Sequence, residues 1–167
     1  MAYDAFLKFE PAVAGESTAV GHQNEIDIVS WSFGETRAAA AGGGGQHAGR
    51  VSMTDFHFTK RVDKASPALF LAVASGTHYK TATLSVRNGA FQEGQDFLKY
   101  KLSTVLVTSF SLEGHGEGSQ ERELDSFSLA FQKIQITYTP TSPAGVAAPA
   151  DEGVDVTWDL SADGGGG

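Results

Sequence analysis

Hydrophobic and polar residues alternate over most of this 167-residue chain, and a period of two is typical of β-strands with one buried face. Counting the alternating runs predicts about seven or eight strands. In the second run, Val29, Trp31 and Phe33 share one face, which we expect to point into the core. Ser30 and Ser32 lie on the opposite face, which is left for solvent or a partner. The runs cover residues 3–10, 25–34, 50–59, 81–87, 97–112, 123–138 and 154–160.

Two of the long runs change phase partway along their length. The apolar positions slip between Leu102 and Val105, and again at Gln132 and Lys133. A slip of this kind indicates a β-bulge or a bend, and bent strands build curved sheets. The pattern therefore favours a mainly β fold with a curved antiparallel sheet, arranged as a barrel or a sandwich.

One short α-helix interrupts the strands, with predicted limits at residues 67–75. Ser66 can act as the N-cap, Pro67 suits the first helical position, and Gly76 suits a left-handed residue after the last turn. The spacing of the apolar residues is that of a stripe that packs against a sheet. The stripe consists of Leu69, Phe70, Ala72 and Val73.

The composition is that of one globular domain. Hydrophobic residues make up 41% of the chain and charged residues 19%, and we place a single domain at residues 1–162. No stretch approaches the roughly 20 apolar residues of a membrane helix, so we predict no membrane insertion. The N-terminus lacks the basic and apolar regions of a signal peptide. We therefore expect a cytoplasmic location before any export, and an export route that needs no cleavable signal.

Charge and cysteine content exclude several functions. The net charge of −8 repels phosphate backbones, so we predict no nucleic-acid partner. The chain has no cysteine, which excludes thiol catalysis, cysteine-ligated metals and disulfide bonds.

Glycine is unusually frequent, with 20 residues, of which eight lie in the runs 42–45 and 164–167. The first run belongs to residues 37–50, which show no periodicity and which we predict to form a flexible loop. Residues 163–167 are predicted to be a disordered glycine tail.

The histidines and acidic residues do not form a convincing reactive site. His22, Glu25 and Asp27 could be drawn as a metal cluster, but the two acids fall on the solvent side of one strand. His57 is interpreted as a paired surface or interface residue, and His78 as a residue that caps the helix C-terminus. Phosphate-loop, nucleophile-elbow and zinc-protease motifs are absent from the sequence. We predict no catalytic residue, no cofactor, no metal site and no enzymatic activity.

The order of local motifs over nearly the whole chain resembles the Hcp family, the hemolysin-coregulated proteins of bacterial type VI secretion systems. The specific parts are Trp31 three residues before Gly34, and an Asp-x-x-Phe-Thr-Lys motif at 55–60 followed by Asp-Lys-x-Ser-Pro at 63–67. Phe33 departs from the family pattern, which commonly has tryptophan there. The matching segments are EIDIVSWSFG (25–34), GRVSMTDFHFTKRVDKASPALF (49–70), SGTHYKTATLSVR (75–87), LSTVLVTSFS (102–111), LAFQKIQITYTP (129–140) and TWDL (157–160).

This resemblance implies a curved antiparallel β-barrel with one short flanking α-helix, of which six copies form a ring. It further implies that rings stack into a tube inside a contractile sheath, that effector proteins travel in the lumen, and that sheath and spike proteins are partners. Contraction would expel the tube, so the protein would be secreted through the apparatus without a signal peptide. The alternative is a tail-tube subunit of a related contractile phage-like or extracellular injection particle.

Two sets of residues follow as hypotheses from this reading. Ser30 and Ser32 are expected to face the lumen, because small polar side chains give a wet bore that does not hold cargo tightly. The glycine-rich loop is expected to contact the next ring and to become ordered only on stacking. Its residues are Gly42, Gly43, Gly44, Gly45, Gln46 and His47.

Overall fold

Eleven β-strands and one α-helix make up the part of the chain that the computed structural model describes, namely residues 3–39, 48–89, 95–114, 116, 118, 123–140 and 153–161. The prediction of a mainly β fold with one short helix is confirmed. There are more strands than predicted because three of the predicted runs each break into two and one strand lies in the predicted loop. The helix is α1 (Ala65–Ser75), and the strands are β1 (Tyr3–Glu10), β2 (Ile26–Ile28), β3 (Ser30–Ser32), β4 (Glu35–Ala39), β5 (Ala48–Met53), β6 (Phe56–Arg61), β7 (His78–Asn88), β8 (Asp96–Glu113), β9 (Leu124–Ala130), β10 (Lys133–Tyr138) and β11 (Val154–Asp159).

The main antiparallel sheet closes on itself as a barrel. Its strand order is β2-β1-β7-β8-β9-β6-β3, and the two strands at its ends are separated in sequence by Val29 alone. The Val29 backbone N–H donates to the carbonyl oxygen of Thr59 in β6 at 2.8 Å. One short segment therefore pairs with β1 on one side and with β6 on the other, which joins the two ends of this strand order.

The barrel interior is filled by apolar side chains, among which aromatic rings stand in a stack. The ring centroids of Phe56 and Phe58 are 4.9 Å apart, and those of Phe58 and Phe127 are 5.1 Å apart. Phe33 extends the stack at 5.3 Å from Phe56. Because Phe56, Phe58 and Phe127 point into the barrel, one face of β6 and of β9 lies on the core and the other face lies outside.

The predicted core face of the second run is wrong at Val29. Ile26 and Ile28 are buried instead, and Val29 is 47% exposed. The reason is that the chain changes its pairing partner from β1 to β6 at this residue, and the change resets the alternation of side chains. Trp31 and Phe33 are half-buried and pack against the core, as expected.

The two predicted bends are confirmed. Thr104, which lies between Leu102 and Val105, has a φ of 54°, an uncommon value that turns β8. Before this residue β8 pairs with β10, and after it β8 pairs with β9. At Gln132 the predicted long strand divides, since β9 ends at Ala130 and β10 begins at Lys133.

The helix begins two residues earlier than predicted, so Ser66 is not its N-cap. Lys64 occupies that position without a side-chain cap, and the Asp63 carboxylate accepts a hydrogen bond from the Ala65 N–H at 2.9 Å. At the other end the prediction is confirmed, because Gly76 has a φ of 67°. The predicted stripe is partly wrong. Leu69 and Ala72 are buried and Val73 is half-buried, but Phe70 is exposed.

Strands β4 and β5 form a separate two-stranded sheet, so the predicted loop at 37–50 is shorter than expected. Residues 37–39 and 48–50 belong to these strands. The stacking residues proposed at 42–47 and the tail at 163–167 lie outside the described residues. Within the described ranges, no helix has the length and apolar character needed to cross a membrane.

Candidate assembly surfaces

A surface rich in hydroxyl groups covers the outer face of four neighbouring strands, and we call it the hydroxyl face. Ser30 and Ser32 of β3 start two rows that run across β6, β9 and β8. The first row is Ser30, Thr59, Ser126 and Ser111, and the second row is Ser32, His57, Ser128 and Ser109.

The hydroxyl face follows from strand alternation. Each hydroxyl-face residue on β6 and β9 lies between two buried neighbours, as His57 does between Phe56 and Phe58. Most of the eight residues are exposed, but Thr59 is half-buried and Ser128 is buried. The Ser128 hydroxyl lies 2.7 Å from the Thr108 hydroxyl and also bonds Ser109. The face therefore offers hydrogen-bonding groups with a single titratable member, His57.

Sequence reasoning identified Ser30 and Ser32 on this face and missed the other six residues. The signal for them was present as short alternations such as Phe56 to Thr59 and Ser126 to Ser128. Only the strand register shows that these separate alternations share one surface. Both serines are exposed as expected. Their position in a lumen stays a prediction.

A second surface, the apolar ribbon, is formed by one face of β10 and β11. Residues paired across β8, β10 and β11 lead from the core outward. The exposed fraction rises from 1% at Leu102 of β8 to 3% at Ile134 and 40% at Trp158. In the described part of the chain, β11 pairs with β10 alone, which leaves its far edge open. The residues of the ribbon are Ile134, Ile136, Tyr138, Val154, Val156 and Trp158.

The reverse face of the same two strands is polar. The Gln135 side-chain amide donates to both carboxylate oxygens of Asp155, at 3.0 and 2.9 Å. Thr137 also lies on this side, at 3.5 Å from Asp155. Only one face of the ribbon therefore has the character of a protein contact. An open strand edge with exposed apolar residues is a strong candidate for such a contact.

His22 does not join Asp27 in the cluster that the sequence suggested. Its Nδ1 atom lies 2.8 Å from Glu25, and its Nε2 atom lies 2.9 Å from Asp96 at the start of β8. The imidazole also stacks on Phe6 with a centroid distance of 4.4 Å. With both ring nitrogens bonded to carboxylates, His22 ties the β1–β2 connection to β8. No group of three or more metal-ligating side chains is found among the described residues.

A buried lysine, which the sequence analysis missed, fastens the helix to the barrel. The Nζ atom of Lys60 lies 2.8 Å from oxygens of Asp63, Ser66 and Asp125. Lys60 points inward because it follows Phe56 and Phe58 at a period of two. The alternation alone placed a lysine at a core position, and a buried charge indicates that partners of opposite charge lie close by.

The other predicted residues have simple positions. His57 is exposed in the centre of the hydroxyl face, in agreement with a surface or interface role. His78 is exposed as the first residue of β7, two residues after the helix C-cap. The described contacts give it no capping hydrogen bond, so that role stays a prediction.

Comparison with known proteins agrees with the fold. A family model described as "Type VI secretion system effector, Hcp" matches residues 6–138. The protein hcp1 of Pseudomonas aeruginosa is 34% identical over 146 residues, which cover 87% of this chain and 88% of that protein.

Two solved structures extend the likeness to nearly the whole chain. One, a type six secretion system protein, has a TM-score of 0.87 at 25% identity and covers 97% of this chain and 98% of its own. The other, Hcp1 from Salmonella typhimurium, has a TM-score of 0.75 at 27% identity and covers 96% and 97%. These matches support the type VI interpretation over a phage-like tail tube. The chain therefore belongs to the Hcp family, the structural, non-enzymatic tube proteins that type VI secretion systems secrete.

Proposed function

We propose that six copies of this chain close into a ring, that rings stack into a tube, and that the hydroxyl face lines the bore through which effector proteins travel. The hydroxyl face is the observation that carries the proposal. It extends across four strands, most of its residues are exposed, and it is backed by the aromatic stack.

A neutral hydroxyl lining suits a bore that must both hold and release cargo. The chain has a net charge of −8, yet none of the eight residues of the hydroxyl face is acidic. Single hydrogen bonds to a hydroxyl contribute only about 0.5–1.5 kcal/mol, because each replaces a bond to water. Cargo would therefore make many weak contacts and no strong ones.

The apolar ribbon gives each subunit an exposed surface that a neighbouring subunit in the ring can cover. Identical subunits in a ring meet through two different surfaces, so each chain needs a pair of unlike patches. Burying an exposed aliphatic side chain such as Val154 or Val156 contributes on the order of 1.5–3 kcal/mol. A neighbour that covers the ribbon would also protect the open edge of β11.

Stacking is assigned to the glycine-rich segment between β4 and β5. The pairing of Ala39 with Ala48 holds the two ends of this segment side by side. Ordering a run of four glycines on contact costs conformational entropy, which keeps ring stacking weak and reversible. Deleting residues 40–45 should leave rings intact and impair tube assembly and secretion. Unchanged tubes would contradict this assignment.

Negative-stain electron microscopy of the purified protein tests the proposal. We expect sixfold rings with an open centre, and particles of single-subunit size at high concentration would overturn it. Ser32→Trp should leave the rings visible and abolish export of an effector carried in the lumen. Lys8→Trp is the control, since Lys8 is exposed on β1, a strand that carries no residue of the hydroxyl face. Normal export by Ser32→Trp would remove the hydroxyl face from the bore.

A further inference from the structure

A polar cleft lies on the outer face of β1, β7 and the start of β8. Its volume of about 660 Å³ is within the range of small-molecule sites. The residues that line it include no member of the hydroxyl face or of the apolar ribbon, so the cleft is separate from both surfaces. The floor of the cleft is the outward row of β7, which consists of Thr81, Thr83, Ser85 and Arg87.

Four side chains at the centre of the cleft can donate hydrogen bonds, and we call them the donor quartet. They come from two neighbouring strands, β7 and β8, whose register pairs Thr83 with Lys101 and Ser85 with Lys99. Paired residues are about 5 Å apart across the strands, and successive outward residues are about 7 Å apart along them. Two hydroxyl groups and two ammonium groups therefore surround one small area of the sheet.

Ser85 is the member of the quartet that points to a ligand. Its side chain lines the cleft although the residue is only 6% exposed. In the described part of the chain its hydroxyl has no hydrogen-bond partner, whereas buried hydroxyl groups are normally bonded. A ligand oxygen in the cleft would supply the missing acceptor.

The lysines around the quartet are weakly neutralised. Lys101 makes no ion pair within the described ranges, and Lys99 makes only a long one, at 3.6 Å from Asp96. Lys8 pairs in register with Thr83 from the β1 side and adds a third ammonium group to the lining. The centre of the cleft therefore carries positive charge.

The acidic residues of the cleft lie at its two ends. Glu10 lies at one end, one outward position beyond the quartet. At the other end Glu25 and Asp96 bond the two ring nitrogens of His22, at 2.8 and 2.9 Å. Arg87 is in register with Asp96, is 5% exposed, and has an Nε atom without a hydrogen-bond partner in the described structure. Positive charge at this end thus offsets the two carboxylates.

We infer that the donor quartet binds a phosphate group, either as inorganic phosphate or as the end group of a small phosphate ester. A tetrahedral phosphate can accept from the hydroxyls of the floor and from the ammonium groups beside them at the same time. Lysine binds phosphate as a point charge, whereas a planar carboxylate is matched best by the fork of an arginine. The net charge of −8 does not oppose this binding, because charges more than about 8–10 Å away are screened at physiological salt.

Chemical modification of lysines tests the site residue by residue on the purified, unsubstituted protein. Inorganic phosphate should slow the acetylation of Lys99 and Lys101, measured by peptide mass spectrometry, relative to chloride at the same ionic strength. At twice its Kd, phosphate occupies about two-thirds of the sites, so the rate should fall about threefold. Lys80 is the internal control, because it is exposed on β7 and does not line the cleft. Equal protection of all three lysines would show ionic screening alone and would overturn the inference.

Variants give a second, independent readout by isothermal titration calorimetry. Lys101→Gln and Ser85→Ala should each weaken phosphate binding about tenfold. Circular dichroism should stay unchanged, since Lys101 is exposed and Ser85→Ala removes a single oxygen atom. Lys80→Gln is the matched control and should bind phosphate as the unsubstituted protein does. An unchanged affinity in Lys101→Gln would remove the quartet from the site.

A comparison of anions identifies the ligand. Binding of both inorganic phosphate and glycerol phosphate would support a site for phosphate esters, and binding of inorganic phosphate alone would support a site for the free ion. Acetate that binds as tightly as phosphate, or no binding of either phosphate, would overturn the inference. The proposed ring and bore use other surfaces, so they would stand in either case.

Discussion

The Nζ atom of Lys60 lies 2.8 Å from Oδ2 of Asp125, and neither side chain has any exposure to solvent. The Ser66 hydroxyl of α1 contacts both groups, so β6, β9 and the helix meet at this pair. Removing an ion from water costs several kcal/mol, and only the retained partners offset that cost. The pair therefore locks α1 to the barrel in one position.

Lys60→Met should destabilise the fold by about 3–5 kcal/mol, because it leaves the buried Asp125 carboxylate without its cation. Urea unfolding at a fixed protein concentration measures the loss. Lys8→Met is the control, since Lys8 is exposed on β1 and should change stability by less than about 0.5 kcal/mol. A similar, small effect for both variants would show that the buried pair contributes little.

Asp27 should make stability depend on pH. Burial raises the pKa of its carboxyl above the ordinary value of 3.8, against a hydrogen bond from Ser17 that lowers it. The folded chain thus binds this proton more tightly than the unfolded chain. Ionisation of Asp27 removes stability as the pH rises from 3.8 through the folded-state pKa.

Asp27→Asn should accordingly raise the melting temperature at pH 7, and the gain should shrink as the pH is lowered towards 4. Thermal unfolding followed by circular dichroism at both pH values checks this. A gain that is the same at both pH values, or a loss at pH 7, would contradict the assigned cause.

Gly15→Ala should lower stability by about 1–3 kcal/mol, the typical cost of forcing extra atoms into a packed site. A Cβ atom at this position would overlap the backbone carbonyl of Glu25, and the backbone must shift to admit it. Gly34→Ala is the matched control, because a Cβ atom there meets no heavy atom within 4 Å. Equal melting temperatures for the two variants would show that the loop around Gly15 adjusts freely.

Trp158→Ala should weaken the ring without unfolding the chain, since this side chain is exposed in the single subunit. A buried tryptophan at an interface typically contributes 2 kcal/mol or more, so the concentration at which rings dissociate should rise about 30-fold. Light scattering over a dilution series measures this. Thr157→Ala, on the reverse face of the same strand, should leave the dissociation unchanged. A ring that is indifferent to Trp158→Ala would exclude the ribbon from the subunit contact.

Where a strand keeps the same two partners along its length, alternation alone predicted its buried face. Leu84 and Val86 of β7 are buried as expected, because β7 lies between β1 and β8 from Thr81 to Arg87. Val29 shows the limit of this reasoning. Its exposure results from a change of partner between β1 and β6, and pairing is decided by residues far away in the sequence.

The candidate surfaces show the same limit. The exposure of Ser30 and Ser32 followed from their phase, but the rest of the hydroxyl face depends on the register of three other strands. Lys60 lies two residues after Phe58 and so on the same face of β6, which already implied that its side chain points inward. Its partner Asp125 stands 65 residues away, beyond the reach of any local pattern.

Closure of the barrel sets an order for folding during translation. Strand β3 pairs with β6, and β6 pairs with β9, which ends at Ala130. Until β9 has left the ribosome, the edge of β6 stays open and Lys60 lacks Asp125. Non-local strand pairing of this kind is slow and leaves the nascent chain open to aggregation. A chain that stops before residue 124 would therefore keep Lys60 at its centre without Asp125, with only Asp63 and Ser66 to offset the burial of its charge.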